Sequence, residues 1–281
     1  YMSSSINIVM FLIVTVGYYM TIKSYLKLDI ISDPDKNKKF NNDTHTNLAI
    51  YLIAVLLSQY FINVYNITDK CGGEMTENLG LAALVTFLPW TFMFGLVVIV
   101  LILYPGFKGA FSDVIGYFFV YSSANKILTD LLVDKNIQDK MDNNPNASEE
   151  DKKAMQDVAS VIIKICGNNS ILINQIVPEN FINYWKIMKP LMKKQYQSEE
   201  GGQEIQKKLF DLVVTRDNVG EIMWFIYTGI LVTSLVQLQM SSQGCNYSSA
   251  TMEKNYQDFL DQEQDAADKR DKATNQVYTV S

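Results

Sequence analysis

Long runs of apolar residues alternate along this chain with polar stretches that are rich in Lys, Asp, Asn and Gln. The apolar runs cover residues 6–22, 48–65, 81–104 and 222–238. A helix rises about 1.5 Å per residue, so a run of about 20 apolar residues crosses a hydrocarbon core of about 30 Å. The pattern therefore predicts an all-α, multi-pass membrane protein with about four transmembrane helices.

The third run, Leu81–Tyr104, gives the strongest of these signals because it holds no charged side chain. As a helix its roughly 24 residues reach about 36 Å, which is enough to cross the bilayer with some tilt. Pro89 is expected to kink this helix, since proline removes a backbone donor, and Trp90 is expected to pack on a neighbouring helix. The alternative is a buried central helix of a large soluble domain.

The segment 114–133 starts apolar and becomes amphipathic. Leu128 and Leu131 fall on one side of a helix here, while Lys126 and Asp130 would be costly inside lipid. We therefore predict an interfacial or re-entrant helix. A fifth membrane span is the competing interpretation.

The same patterning divides the chain into four parts. Residues 1–133 form a membrane region with three spans and the interfacial helix, and residues 134–216 form a small inserted helical domain outside the membrane. Residues 217–240 contain the fourth span, and residues 241–281 form a polar, acidic tail.

Lysines are concentrated in residues 23–46 and 105–217, and four spans place both segments on one face of the membrane. Because positive charge favours the cytoplasmic face, this face is predicted to be cytoplasmic. The connection 66–80 and the tail then lie on the opposite face.

This topology brings two of the three cysteines to the same face. Cys71 and Cys245 follow the second and the fourth span at similar depth, so they are candidates for a disulfide. The alternative is that both are unpaired. Cys166 lies on the other side of the membrane and is expected to be a free, mostly buried thiol.

Aromatic and basic residues at the ends of spans are typical of contacts with lipid headgroups. Such residues cluster after the third span, where Pro105 and Gly106 end the helix, and at the start of the fourth. The predicted membrane-interface residues are Tyr104, Pro105, Phe107, Lys108, Phe111 and Trp224.

Composition and motifs exclude several functions. A net charge of −6 gives no basic field for nucleic acid, and a single histidine, His45, offers little for a metal site. The chain has no phosphate-binding G-x-x-x-x-G-K-[ST], no H-E-x-x-H and no G-x-S-x-G motif. We therefore predict no enzyme and no cofactor, with no catalytic or metal residues and no evident small-molecule substrate.

A structural role is the expected function, because the four apolar runs hold no charged residues in their interiors. The predicted contacts with partner proteins are Phe181, Trp185 and Met188 in the inserted domain and Tyr256 and Phe259 in the tail. The alternative is a channel or carrier subunit whose pore is lined by Ser58, Gln59, Asn63, Thr228 and Thr233. An accessory or assembly factor of the endomembrane system is a third possibility.

The stretch Tyr104–Val120, YPGFKGAFSDVIGYFFV, resembles a segment of inner-membrane proteins of large icosahedral double-stranded DNA viruses. In those proteins an aromatic-Pro-Gly turn after a span leads into a Phe-Ser and Gly-Tyr run. The resemblance covers a small part of the chain. It implies a structural protein of the virion inner membrane, or of the endoplasmic-reticulum-derived host membrane, that acts as a minor capsid protein tying membrane to shell. It implies no catalytic residues. Because such viruses encode oxidases that form disulfides in cytoplasmic virions, it also weakens any assignment of compartment from cysteine.

Overall fold

The computed structural model describes residues 2–72, 74–131, 169–189, 192–245 and 249–275. Over these ranges the regular structure is helical, and no β-strand occurs among the described residues. Among the described residues, four helices are long and apolar enough to cross a membrane. The predicted fold class, an all-α multi-pass membrane protein, is therefore confirmed.

The helices differ widely in length, from single turns to rods that exceed the thickness of a bilayer. In chain order they are α1 (Met2–Gly17, continued by the π-helical turn Tyr18–Ile22), α2 (Leu28–Ile31), α3 (Pro34–Cys71), α4 (Met75–Pro89, continued through the π-helical segment Trp90–Gly95 into α5), α5 (Leu96–Leu103), α6 (Gly109–Phe111, between the 3₁₀ turn Pro105–Lys108 and the π-helical turn Ser112–Gly116), α7 (Tyr117–Leu131), α8 (Asn169–Gln175), α9 (Phe181–Met188, after the 3₁₀ turn Pro178–Asn180), α10 (Lys194–Gln197), α11 (Glu199–Ser242) and α12 (Ser249–Asn275).

Helix α3 begins well before the apolar run that predicts the second span. The Asp33 carboxylate accepts hydrogen bonds from the backbone N–H groups of Asp35 and Lys36, at 3.0 and 3.3 Å, and Pro34 occupies the first helical position. Both features favour a helix start. The 38-residue helix is about 57 Å long, so it projects beyond the bilayer on the Lys-rich side.

Helix α11 likewise joins two parts that the sequence pattern separates. It starts at the N-cap Ser198 and runs without interruption for 44 residues, through the end of the inserted domain and the whole fourth span. At about 1.5 Å per residue it is about 66 Å long. The membrane span and the extramembrane domain therefore share one rigid helix.

Aromatic rings fill the centre of the four-span bundle. The ring centroids of Phe11 and Trp90 are 5.5 Å apart, and those of Tyr51 and Phe225 are 5.4 Å apart. Phe94 lies 5.6 Å from Phe225, so rings from all four spans form one continuous cluster. Trp90 packs on a neighbouring helix, as its position in the third run predicts. The side chains of this cluster fill the axis of the bundle.

Pro89 is accommodated by a local change of helix type. It ends α4 in helical geometry, and the next residues, Trp90–Gly95, are π-helical before α5 resumes the α-helix. A wider turn is a common adjustment where proline removes a donor from the helical ladder.

A second hydrophobic core lies in the part of the chain that is predicted to form the extramembrane domain. Apolar residues of α7, α8 and α9 pack there against the first half of α11. Residues 134–168, the part of this domain that precedes α8 and contains Cys166, lie outside the described residues. The core therefore also uses α7, which the sequence pattern assigns to the membrane region.

Helix α7 runs alongside the first half of α11, away from the fourth span. At its start Gly116 packs against Arg216, and at its end the Leu131 carbonyl accepts a hydrogen bond from the Lys193 N–H at 3.0 Å. Leu128 and Leu131, the apolar side of the predicted interfacial helix, face protein. The helix thus does not lie flat in the interface along its whole length, because its apolar side is used by the domain core.

Candidate functional site: a buried ion-pair cluster at the membrane boundary

Two lysines and two carboxylates meet at the Lys-rich end of the bundle. Lys23 follows the π-helical turn after α1, and Lys108 ends the 3₁₀ turn that follows α5. Asp217 and Glu221 lie one turn apart on α11, so they share a face of that helix. The four side chains keep only 6 to 14 % of their surface exposed. We call these four residues the ion-pair cluster.

Every charge in the cluster has a partner of opposite sign. Glu221 Oε1 accepts hydrogen bonds from Lys23 Nζ and, at 2.9 Å, from Tyr19 Oη. Lys108 Nζ lies 2.9 Å from Asp217 Oδ2 and 3.1 Å from Glu221 Oε2. Buried charges are tolerated when they are paired and hydrogen-bonded in this way. The cluster connects three chain segments and carries no net charge.

The electrostatics keep Lys108 charged. Burial alone would lower the pKa of Lys108, but the carboxylates of Glu221 and Asp217 outweigh this effect and raise the pKa above its ordinary value. Lys108 therefore stays protonated at neutral pH and acts as a fixed ion-pair partner rather than as a base.

Arg216, next to the cluster, connects α11 to the extramembrane domain. Its fully buried guanidinium donates hydrogen bonds to the carbonyl of Ile173 and, at 3.0 Å, to the carbonyl of Ile176. These carbonyls lie at the end of α8, where the helix dipole favours a positive charge. A side chain at Gly116 would overlap the Arg216 backbone, so the turn before α7 also approaches closely here.

A cavity of about 170 Å³ opens beside the cluster. The cavity is lined by polar residues of three segments: Asn41, Thr44 and His45 of α3, Glu179 before α9, and Asn218 of α11. Because water occupies about 30 Å³ per molecule in the liquid, the cavity has room for about six water molecules. It is smaller than the roughly 300–1,000 Å³ of typical ligand pockets. Its size fits hydration of the cluster better than binding of a substrate.

Apart from Lys108, the predicted membrane-interface residues lie together at the end of the third span and the start of the fourth. Trp224 stacks on Phe107 at 5.0 Å, contacts the edge of Phe111 at 5.0 Å, and donates a hydrogen bond to the Phe107 carbonyl at 3.0 Å. Tyr104 and Phe107 are exposed at the end of the third span, as headgroup contacts require, and Pro105 opens the 3₁₀ turn.

Lys108 differs from its predicted role. Its side chain is buried against Asp217 and Glu221 and does not face the headgroups. The carboxylates of α11 explain the difference, since they provide a partner inside the protein for a charge that would otherwise reach outward.

The predicted partner contacts in the inserted domain are wrong. Phe181, Trp185 and Met188 are 0, 8 and 3 % exposed, and the Phe181 ring lies 4.9 Å from the ring of Phe210 on α11. These residues form the face of α9 that packs into the chain's own core. In the tail, by contrast, Tyr256 and Phe259 are 59 and 60 % exposed.

At the opposite end of the bundle a disulfide joins Cys71 and Cys245, the pair named from the topology. It connects the last residue of α3 to the segment that follows α11. Beside it, Lys70 Nζ donates hydrogen bonds to the carbonyls of Met240, Ser241 and Gln243 at 2.7, 3.2 and 2.9 Å. A lysine at this position satisfies carbonyls that the end of a helix leaves free.

The polar residues named as a pore lining are hydrogen-bonded or buried within the bundle. Gln59 Nε2 donates to the Asn7 carbonyl at 3.0 Å, and Asn63 Nδ2 donates to Thr86 Oγ1 at 2.8 Å. Ser58 bonds to its own helix at the Val55 carbonyl. Thr228 and Thr233 are buried within the bundle. The amides bond one span to another, as polar residues in membrane helices commonly do.

Sequence reasoning missed most of the cluster because its members lie just outside the apolar runs. The available signal was the pair Asp217 and Glu221, one turn apart immediately before the fourth span, with a lysine after each of two other spans. Among the residues that the structure describes, no group of His, Cys, Asp and Glu could hold a metal ion. No family model, curated protein or solved structure matches the chain.

Proposed function

We propose that this chain is a structural membrane protein. It holds a helical domain in a fixed position on one face of the membrane and presents a tail helix on the other. The observation that carries the proposal is the continuity of α11, a single 44-residue helix that serves both the domain core and the bundle. A rigid helix of this kind holds the domain in a fixed position relative to the bundle. It does not by itself provide a path for solutes.

The ion-pair cluster supports the same function. It joins α11 to the ends of the first and third spans at the level where the domain leaves the membrane. Arg216 adds a second connection, to α8. Breaking one buried pair costs about 3–5 kcal/mol, so these contacts strongly resist movement of the domain relative to the bundle.

The tail helix provides a surface for a partner. Met252, Tyr256, Phe259 and Leu260 lie on one side of α12 and are all exposed. Apolar residues at this spacing on an isolated helix are typical of a helix that binds in a groove of another protein. Because the residues predicted as partner contacts on α9 are buried in the chain's own core, the tail is the predicted contact surface that remains exposed.

The resemblance of Tyr104–Val120 to viral inner-membrane proteins makes the proposal more specific. The membrane would then be the internal membrane of a virion, and one of the two faces would contact capsid proteins. This part of the proposal is supported by the sequence resemblance alone.

The proposal can be tested by photo-crosslinking in the membranes in which the protein is expressed. A photoreactive residue at Phe259 should form discrete protein adducts, because this position lies on the apolar side of α12. The same residue at Asp261, on the opposite side of the helix, is the matched control and should form none.

A transport assay separates the structural role from the channel alternative. Proteoliposomes containing the full chain should release ions and small solutes no faster than empty liposomes. Flux through the reconstituted protein, or equal adducts from Phe259 and Asp261, would contradict the proposed function.

A further inference from the structure

An exposed apolar surface continues from the third span onto α7. The lipid-facing side of the third span ends in exposed apolar residues, and the chain then passes through the α6 turn into further exposed ones. In chain order these residues are Leu103, Tyr104, Phe107, Val114, Phe118, Phe119 and Tyr121. Phe118 and Phe119 are 80 and 69 % exposed, so they rank among the most exposed large apolar residues of the described chain.

The exposed positions of α7 change character at one point along the helix. Up to Tyr121 the exposed residues of Tyr117–Leu131 are aromatic, whereas beyond it they are polar: Ser122, Ser123, Lys126, Thr129 and Asp130. A sharp change from aromatic to polar side chains, with a tyrosine at the change, is typical of residues at a membrane surface. A soluble helix has no reason to expose aromatic residues at one end only.

The part of the domain core that the structure describes does not account for these aromatic side chains. Val120, Ala124 and Leu128, on the other side of α7, already supply its contacts with α8 and α11. Phe118 and Phe119 point away from that core, since they are exposed while Val120 is buried. They therefore form a second apolar surface of the same helix.

The start of α7 also lies near the boundary of the fourth span. Phe111 contacts Trp224 at 5.0 Å and Tyr227 at 6.1 Å, which places the α6 turn beside the first aromatic residues of that span. Gly116 then packs on Arg216, which lies about two helical turns before Trp224 on α11, on the side of the extramembrane domain. The α6 turn thus lies at the bilayer boundary, and α7 starts just outside it and leads toward the domain.

We propose that Val114, Phe118, Phe119 and Tyr121 insert into the headgroup region of the bilayer that the four spans cross. These four residues are called the aromatic wedge. Lipid is the occupant because the wedge is continuous with the lipid-facing surface of the third span. Phenylalanine supplies the apolar area and tyrosine a polar group for the water boundary. The wedge then attaches the inserted domain to the membrane in addition to α11. Together the two attachments fix the tilt of the domain relative to the bilayer. The proposal does not depend on the identity of any protein partner.

Collision measurements with spin labels test the wedge in the full chain. A Cys166→Ser background leaves only the two disulfide-bonded cysteines, which do not react with the label. Phe118→Cys, Phe119→Cys and Thr129→Cys each add one labelled position on α7, and Thr129 is the polar control. The labelled proteins are reconstituted in phosphatidylcholine nanodiscs, and label relaxation is measured with oxygen, which concentrates in lipid, and with a water-soluble nickel chelate.

The wedge predicts an oxygen-to-nickel collision ratio several-fold higher at positions 118 and 119 than at position 129. Tyr121→Cys provides a second labelled position at the predicted water boundary, with an intermediate ratio, if a phenylalanine variant fails to fold. Equal collision ratios at positions 118, 119 and 129 would show that the wedge residues lie in water, like the polar control. Shielding of 118 and 119 from both reagents would show that protein covers them. Either result overturns the proposal.

Discussion

The two ends of the transmembrane bundle are held together by different chemistry. At the Lys-rich end, buried ion pairs connect α11 to the segments after the first and third spans. At the other end, a disulfide and one lysine connect the end of α3 to the end of α11. Disulfides persist in oxidising compartments, whereas ion pairs do not depend on redox conditions. The disulfide lies at the end opposite the Lys-rich cluster, as the predicted topology requires. That the Lys-rich end faces the cytoplasm stays a prediction.

The two ends also differ in how their contacts fail. An ion-pair cluster is destabilised as soon as one member is lost, because the remaining charges stay buried without a partner. A disulfide acts largely by restricting the unfolded chain, so its removal leaves the folded contacts in place. Substitutions at the two ends should therefore separate these effects.

The largest effect is expected from Glu221→Gln. This change removes the carboxylate shared by Lys23 and Lys108, leaving two buried ammonium groups with one carboxylate between them. We expect a loss of about 3–5 kcal/mol in the free energy of unfolding, measured with denaturant in micelles or nanodiscs. Glu204→Gln is the control, because Glu204 pairs with Lys208 on the exposed surface and its loss should have no measurable effect. Equal stability of the two variants would show that the cluster does not hold this end.

The next effect is expected from removal of the disulfide. Cys71→Ser with Cys245→Ser should lower the free energy of unfolding by about 2–4 kcal/mol, since the bridge closes a long loop. A reductant should produce the same loss in the natural sequence and none in the double variant. Because the two ends are far apart, this loss should add to that of Glu221→Gln. Strong non-additivity would mean that the two ends act as one unit.

A substitution between the ends tests whether the bundle centre is equally rigid. A side chain at Gly229 would overlap the Phe11 ring, so Gly229→Ala should cost about 1–3 kcal/mol through overpacking. Gly80→Ala is the matched control, since nothing lies within 4 Å of a Cβ there and alanine favours a helix. Phe11→Leu should recover part of the loss at Gly229. A neutral Gly229→Ala would show that the aromatic cluster can move aside.

The sequence predicted the spans well because their signal is local. Each apolar run is a local feature of the sequence, and the helix of the third span, Met75–Leu103, contains all of Leu81–Tyr104 except its last residue. The sequence was less informative about helix length, since Asp33 and Pro34 start α3 within a stretch that looks like a solvated turn. Caps decide where a helix begins, but apolar content alone does not reveal them.

The candidate site was harder to predict because its residues are distant in sequence. Lys108 was noticed, but for a headgroup contact, and only the fold brings it to Asp217 and Glu221. Phe181 and Trp185 illustrate the same difficulty, since an apolar helix face does not reveal whether it will pack on its own chain or on another. Cys71 and Cys245 are the exception, because topology alone places both on one face.

The smallest effect is expected from Lys70→Met, which separates the hydrogen bonds at the disulfide end from the covalent bridge. Lys70 bonds to the carbonyls of Met240, Ser241 and Gln243, but it lies at the exposed end of the bundle. A charge at a helix C-terminus contributes about 0.3–1 kcal/mol in such a setting, so the loss should stay below that of the disulfide. Hydrogen exchange of residues 239–245 should increase while the rest of α11 is unchanged. If Lys70→Met instead costs as much as removal of the disulfide, the carbonyl contacts position the two cysteines, and both ends of the bundle then depend on a lysine.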